Sequence, residues 1–119
     1  MIPKLSDLSE HDIQDQIIEY LRLKHWYVQR LNAGEYSLGE GKGYVKGVAT
    51  GTPDIMCFKA GVVYKGQQIA GAVVLYFIEV KVPGKEPNDN QKAKMRELEA
   101  YGAICLVAHS LEDVIQAGL

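Results

Sequence analysis

The sequence predicts an α/β fold, with helices and strands alternating around one sheet. Three observations carry this. Ile13, Ile17 and Leu21 recur at the spacing of one helix face. Val73 to Val82 is dense in β-branched and aromatic residues and stops at Pro83-Gly84, as a strand does. Finally, 119 residues with 47% hydrophobic and 24% charged side chains is the ordinary make-up of one globular domain, so residues 1–119 are expected to form a single unit.

The elements follow in order. Ser9 with Asp12 three residues on fits a capped helix start, and the apolar stripe runs to about Lys24. Trp26 to Leu31 alternates loosely and reads as a strand. Gly34 to Gly51 holds six of the twelve glycines and reads as a long loop or an irregular hairpin around Tyr44-Val45. Asp54 to Phe58 is a short strand, Val62 to Ile69 a hairpin turning at Lys65-Gly66, and Val73 to Val82 the strongest strand. Asn88, Asp89 or Asn90 can cap a second helix, with Met95, Leu98 and Tyr101 on one face and Gly102 as its left-handed stop. Ile104 to Ala108 reads as a buried strand, and Ser110 caps a short last helix. The order is α-β-(β)-β-β-β-α-β-α, without repeats.

Several function classes are excluded early. The longest apolar run, Ala72 to Ile78, is far short of the roughly 20 residues that cross a bilayer, and Met1 to Asp7 lacks a secretory apolar core. Cys57 and Cys105 have no CxxC spacing and read as packed, reduced thiols, so a cytoplasmic protein without a zinc site is expected. His11, His25 and His109 are scattered. There is no GxSxG elbow, and Tyr36 stands where a P-loop would need its first glycine. Trp26 and Tyr27 read as core or interface residues rather than a base-stacking platform.

Charge is unevenly spread. The formal net charge is −2, yet residues 42–96 carry nine Lys and Arg against four acids, whereas residues 97–119 carry four acids and no Lys or Arg. A polyanion could dock on the basic middle.

Three places break the local rules. Glu10 and Gln14 share the stripe of Ile13, Ile17 and Leu21, because seven residues at about 100° each return to within roughly 20°. The alternative is a frayed helix end where Glu10 only favours the dipole. In the strongest strand, Glu79 and Lys81 follow Leu75 and Phe77 on one face, where unpaired burial is costly. Gly51-Thr52-Pro53-Asp54 is a rigid turn that sets a carboxylate at a strand start. If the strands of Asp54 and Glu79 run antiparallel, the two carboxylates meet beside Lys81. Such a pair raises its own pKa values unless a divalent ion holds it ionised, and oxygen ligands without His or Cys suit Mg²⁺ or Mn²⁺. Glu10 could complete the site directly or through water.

Pro53-Asp54 followed by Glu79-Val80-Lys81 is the PD-(D/E)XK nuclease signature. With Ser9-Glu10 and Gln14, Arg30-Leu31-Asn32-Ala33-Gly34, Lys46-Gly47 and Gln91, the ordered series resembles the VRR-NUC family, small nucleases of phages, bacteria and DNA-repair enzymes, over roughly residues 9–110. Ala33 stands where a serine is frequent. The resemblance implies a restriction-endonuclease-like core, α-β-β-β-α-β, with a central mixed sheet flanked by helices and an extra hairpin insertion. It implies that Asp54, Glu79 and the main-chain carbonyl of Val80 hold Mg²⁺ or Mn²⁺. Glu10 would be the helix-borne acid with Gln14 behind it, and Gln91 would reach the site from the second helix. Lys81 would orient or activate the attacking water. A positioning and electrostatic role suits it better than that of a base, since neighbouring carboxylates oppose loss of its proton.

The implied activity is that of a metal-dependent DNA endonuclease in the cytoplasm of a bacterial or phage-infected cell, with no membrane partner. Small stand-alone members of such families resemble Holliday-junction resolvases, so a homodimer cutting branched DNA is expected. Asn32, Lys42 and Lys46 around the glycine-rich loop, with Lys85 and Lys92 flanking the second helix, are the candidate DNA contacts. A plain connection and a solvated helix face are the alternatives there. The rival expectations are a flap or single-strand nuclease of repair or phage replication, and a catalytically silent DNA-binding or assembly module.

Overall fold

The computed structural model describes residues 7–31, 35–37, 41, 44–46, 49–61 and 63–119. Helix α1 (Glu10–Leu23) begins with the expected capping box: the Ser9 hydroxyl accepts from Asp12 N–H, and the Asp12 carboxylate accepts from Ser9 N–H. Strand β1 (Tyr27–Arg30) follows. The glycine-rich segment contains an antiparallel pair, β2 (Glu35–Ser37) with β3 (Tyr44–Lys46). Strand β4 (Ile55–Ala60) leads into a small hairpin, β5 (Val63–Tyr64) and β6 (Gln67–Gln68), and then into β7 (Val73–Val80). Helix α2 (Asp89–Ala100), strand β8 (Ile104–Ala108) and helix α3 (Leu111–Gln116) complete the order.

The central sheet runs β1-β4-β7-β8. Its first three strands are antiparallel, and β8 joins β7 in parallel. One face carries Val28, Ile55, Cys57, Ile78, Val80 and Ala108, which pack with Ile13, Ile17, Ile18 and Leu21 of α1 and Val114 of α3. Ile13, Ile17, Leu21, Ile55 and Ile78 are fully buried. At about 1.5–3 kcal/mol per aliphatic side chain, this layer is what fixes α1 against the sheet and hence where Glu10 sits.

Three expectations are corrected. Tyr101 does not share the apolar face of α2; it is the residue that ends the helix and is 88% exposed. Strand β8 is an edge strand, with only Ala108 buried and Ile104 exposed, so its apolar run does not mean burial on both faces. Tyr27 is exposed rather than core, because β1 is the opposite edge, and only its interface alternative stands, whereas Trp26 is core. Cys57 and Cys105 are free, and burial pushes both thiols well above their ordinary pKa.

Candidate active site

The register sets the site. Ile55 of β4 pairs with Ile78 of β7, so the next residues outward, Asp54 and Glu79, fall side by side at the end of two antiparallel strands. Strand alternation turns both carboxyls away from the α1 layer. The Asp54 carboxylate accepts from Val80 N–H at 2.7 Å, and the Asp54 carbonyl accepts from Leu31 N–H at 2.7 Å. Asp54 is thus held from β7 through its side chain and from β1 through its main chain.

Glu79 is buried, with 2% of its surface exposed. Gln91 Nε2 donates to Oε1 at 3.2 Å, while no N–H or hydroxyl donor reaches Oε2. Burial, the Asp54 charge and a hydrogen bond that protonated Glu79 donates to Asp54 push the Glu79 carboxyl up to about 8. Asp54 is also raised, chiefly by burial, against the hydrogen bonds from Val80 and from Glu79. Lys81 opposes both shifts, its ammonium favouring the ionised pair. Two carboxyls in contact with one unsatisfied oxygen therefore need either a proton or a cation between them.

Glu10 acts on the pair from α1 by charge, pushing Glu79 further up, but does not join it. Among the described residues no three His, Cys, Asp or Glu side chains gather closely enough to hold a metal ion. Gln14 is half-buried one turn further along α1. Gln91 reaches Glu79 because it is the third residue of α2, whose capping residue is Asn88. Lys85 and Lys92 are exposed on the segments that bracket the start of α2. Asn32 and Lys42 lie outside the described residues, as does the side chain of Lys46.

The turn before Asp54 is packed against α2. Gly51 has φ +90°, and a Cβ there would lie 2.9 Å from the main-chain oxygen of Asn90. Gly51→Ala is therefore expected to cost about 1–3 kcal/mol and to force the start of α2, with Gln91, away from Glu79. Thermal melting checks the first effect. Loss of cleavage disproportionate to the fraction unfolded checks the second.

No protein-family model matches the chain, and no curated protein matches it in sequence. Among solved structures, one described as "VRR_NUC domain" matches with a TM-score of 0.57 and 21% identity over 90% of each chain. The chain shares the fold of a VRR_NUC domain. Its mixed four-stranded sheet with flanking helices is accordingly restriction-endonuclease-like, and the β5–β6 hairpin lies in the chain between β4 and β7.

Within this VRR_NUC fold, Arg30 is a charged group to which the sequence reading assigned no role. It pairs in register with Ile55, its charge favours ionised Asp54, and its guanidinium is ion-paired with Asp15 of α1. Its buried Nε has no partner. The signal was present in the β1 register, which cannot be read until the pairing with β4 is known.

Proposed function

We propose that this chain is a VRR-NUC family nuclease: one domain that hydrolyses phosphodiester bonds in DNA with a divalent metal ion. The observation that carries the reading is the side-by-side placement of Asp54 and buried Glu79, whose Oε2 has no donor. Such a site favours a hard cation in place of the shared proton, and its all-oxygen character suits Mg²⁺ or Mn²⁺. Asp54, Glu79 through Oε2 and the main-chain carbonyl of Val80 would hold the ion, with Glu10 contributing directly or through water. When bound, the ion supplies an acidified water and neutralises charge at the phosphoryl oxygen.

The chain's own groups do the rest. Val80 N–H and Leu31 N–H fix Asp54, and the Gln91 amide fixes Glu79, so neither carboxylate must reorganise during the reaction. Lys81 opposes protonation of the pair and offers an ammonium to phosphate charge or to the attacking water. Main-chain pairing of Lys81 with Ala108 of β8 holds it at the strand end.

We further propose a homodimer that selects branched DNA by shape. A four-way junction has near two-fold symmetry, and a two-fold dimer presents one site to each of two strands. Among the described residues no helix is long and apolar enough to cross a membrane. The test is cleavage of a panel of four-way, flapped, single-stranded and linear duplex DNAs with Mg²⁺, Mn²⁺ or EDTA, alongside a mass measurement in solution. Metal-dependent cutting of junctions well above linear duplex, by a particle of twice the chain mass, is the expected result. Equal cutting of linear duplex sinks the junction reading, and preference for flaps or single strands replaces it.

A further inference from the structure

A groove of about 720 Å³ lies at the end of the sheet remote from the acid pair. It is formed by the turn after α1, the rings of Tyr27 and Phe58, and residues 68–73. Among the described residues lining it are Lys24, His25 and Lys59 and no Asp or Glu, in a chain whose formal net charge is −2. Tyr27 is 52% exposed, and its ring stacks on Phe58 with centroids 4.8 Å apart and planes 29° from parallel. Lys59 Nζ lies 4.5 Å from the centroid of the Trp26 ring, which keeps a cation at the rim. His25, at φ 67°, is the left-handed residue that ends α1, with Trp26 N–H donating to the Leu21 carbonyl at 3.0 Å.

An aromatic ring propped from behind, with cations in reach and acids absent, suits a flat, anionic ligand. A nucleobase stacks on such a ring and its phosphates pair with the lysines. The placement fits a strand that also reaches the acids. Alternation puts Phe58 and Asp54 on the same face of β4, four residues or about 13 Å apart, and a stacked strand at about 3.4 Å per nucleotide spans that in about four nucleotides; Lys59 leaves β4 on the other face, beside Trp26, and lines the groove around the end of the sheet.

We propose that this groove binds an unpaired nucleotide of the DNA, about four positions from the phosphate at the Asp54–Glu79 pair, with its base on Tyr27 and its phosphates on Lys24 and Lys59. The proposal rests on the nuclease reading for the class of ligand. A second copy seated here would bring two basic grooves together with no Asp or Glu among the described lining residues to offset them, so self-association is the poorer occupant.

The probe is an oligothymidylate carrying one 2-aminopurine, titrated into the whole protein with EDTA present so that nothing is cut. The wild type is expected to quench the 2-aminopurine on binding. Tyr27→Leu is expected to bind roughly ten-fold more weakly and to lose the quenching, while Tyr27→Phe keeps both. Replacing Lys24 and Lys59 together by Gln lowers the slope of log affinity against log salt by about 1.4, or about 0.7 per lysine, compared at matched folded fractions. Unchanged affinity, quenching and salt slope in these variants overturn the proposal. So does a Tyr27→Leu protein that falls from dimer to monomer with its DNA affinity intact, because the groove is then a protein contact. Single-strand binding lost on Tyr27→Leu in a protein that cuts no DNA with metal overturns the nuclease reading and keeps the groove. Normal cutting with binding indifferent to Tyr27 does the reverse.

Discussion

Asp54→Asn is expected to lower Mg²⁺-dependent DNA cleavage by roughly a thousand-fold or more while the protein stays folded. The substitution is close to isosteric, and the amide oxygen can still accept the Val80 N–H that now donates at 2.7 Å. The bond from Leu31 N–H goes to the Asp54 main-chain carbonyl and is untouched. What disappears is one negative charge at the point where Glu79 Oε2 lacks a donor. Cleavage time courses at matched folded fractions check this. Cutting by the variant within ten-fold of wild type would place the chemistry somewhere other than this strand end.

The second large effect is on stability. A carboxyl whose pKa is raised by folding binds its proton more tightly in the folded chain than in the unfolded one. Glu79 rises from an ordinary 4.5 to about 8. Below about pH 4.5 both states are protonated and burial of Glu79 carries no electrostatic penalty. Between 4.5 and 8 the unfolded carboxyl ionises while the folded one keeps its proton, so stability falls as pH rises. Above 8 the penalty is constant. Without metal, melting at pH 8 should therefore lie below that at pH 5.5 by on the order of 10 °C, reflecting a few kcal/mol. Glu79→Gln, which has no charge to lose, should flatten that dependence and melt higher than wild type at pH 8. Millimolar Mg²⁺ should raise the melting temperature of the wild type and leave Glu79→Gln unmoved, since only the former gains an ion on folding. A flat wild-type profile, or an equal Mg²⁺ response in both proteins, would contradict the buried pair described above.

Much of this was legible beforehand, for reasons that can be named. The Ser9 cap was visible because its partner Asp12 is local. The meeting of Asp54 with Glu79 followed from period-two alternation and a turn that reverses the chain between their strands. The choice of Asn88 over Asp89 or Asn90 was open until the side chain of Gln91, three residues on, closed the box. Other features depend on which strands lie at the edge, and composition does not record that. The run Ile104–Ala108 is as apolar as a central strand, yet it has one neighbour, and Tyr27 is exposed for the same reason. Tyr101 fails differently: α2 stops one residue earlier, so the face that Met95 and Leu98 share ends before it. Glu10 lies on the expected side of α1, while its reach along the helix axis is set by packing that no wheel projection contains. Arg30 came into view only once its strand had a partner.

Gln91 holds two posts at once. Its Oε1 accepts from the Asn88 N–H at 2.9 Å to start a helix, and its Nε2–H donates a hydrogen bond to Glu79 at 3.2 Å. Helix starts ordinarily accept Glu and Gln interchangeably at this position, so mutation could drift between them at little cost. Here that drift is closed. A glutamate would begin the helix equally well, yet it would have no N–H to give and would bring a further negative charge to two acids already crowded. The local code for an unremarkable helical turn thus carries a selective constraint that originates twelve residues away, on another element.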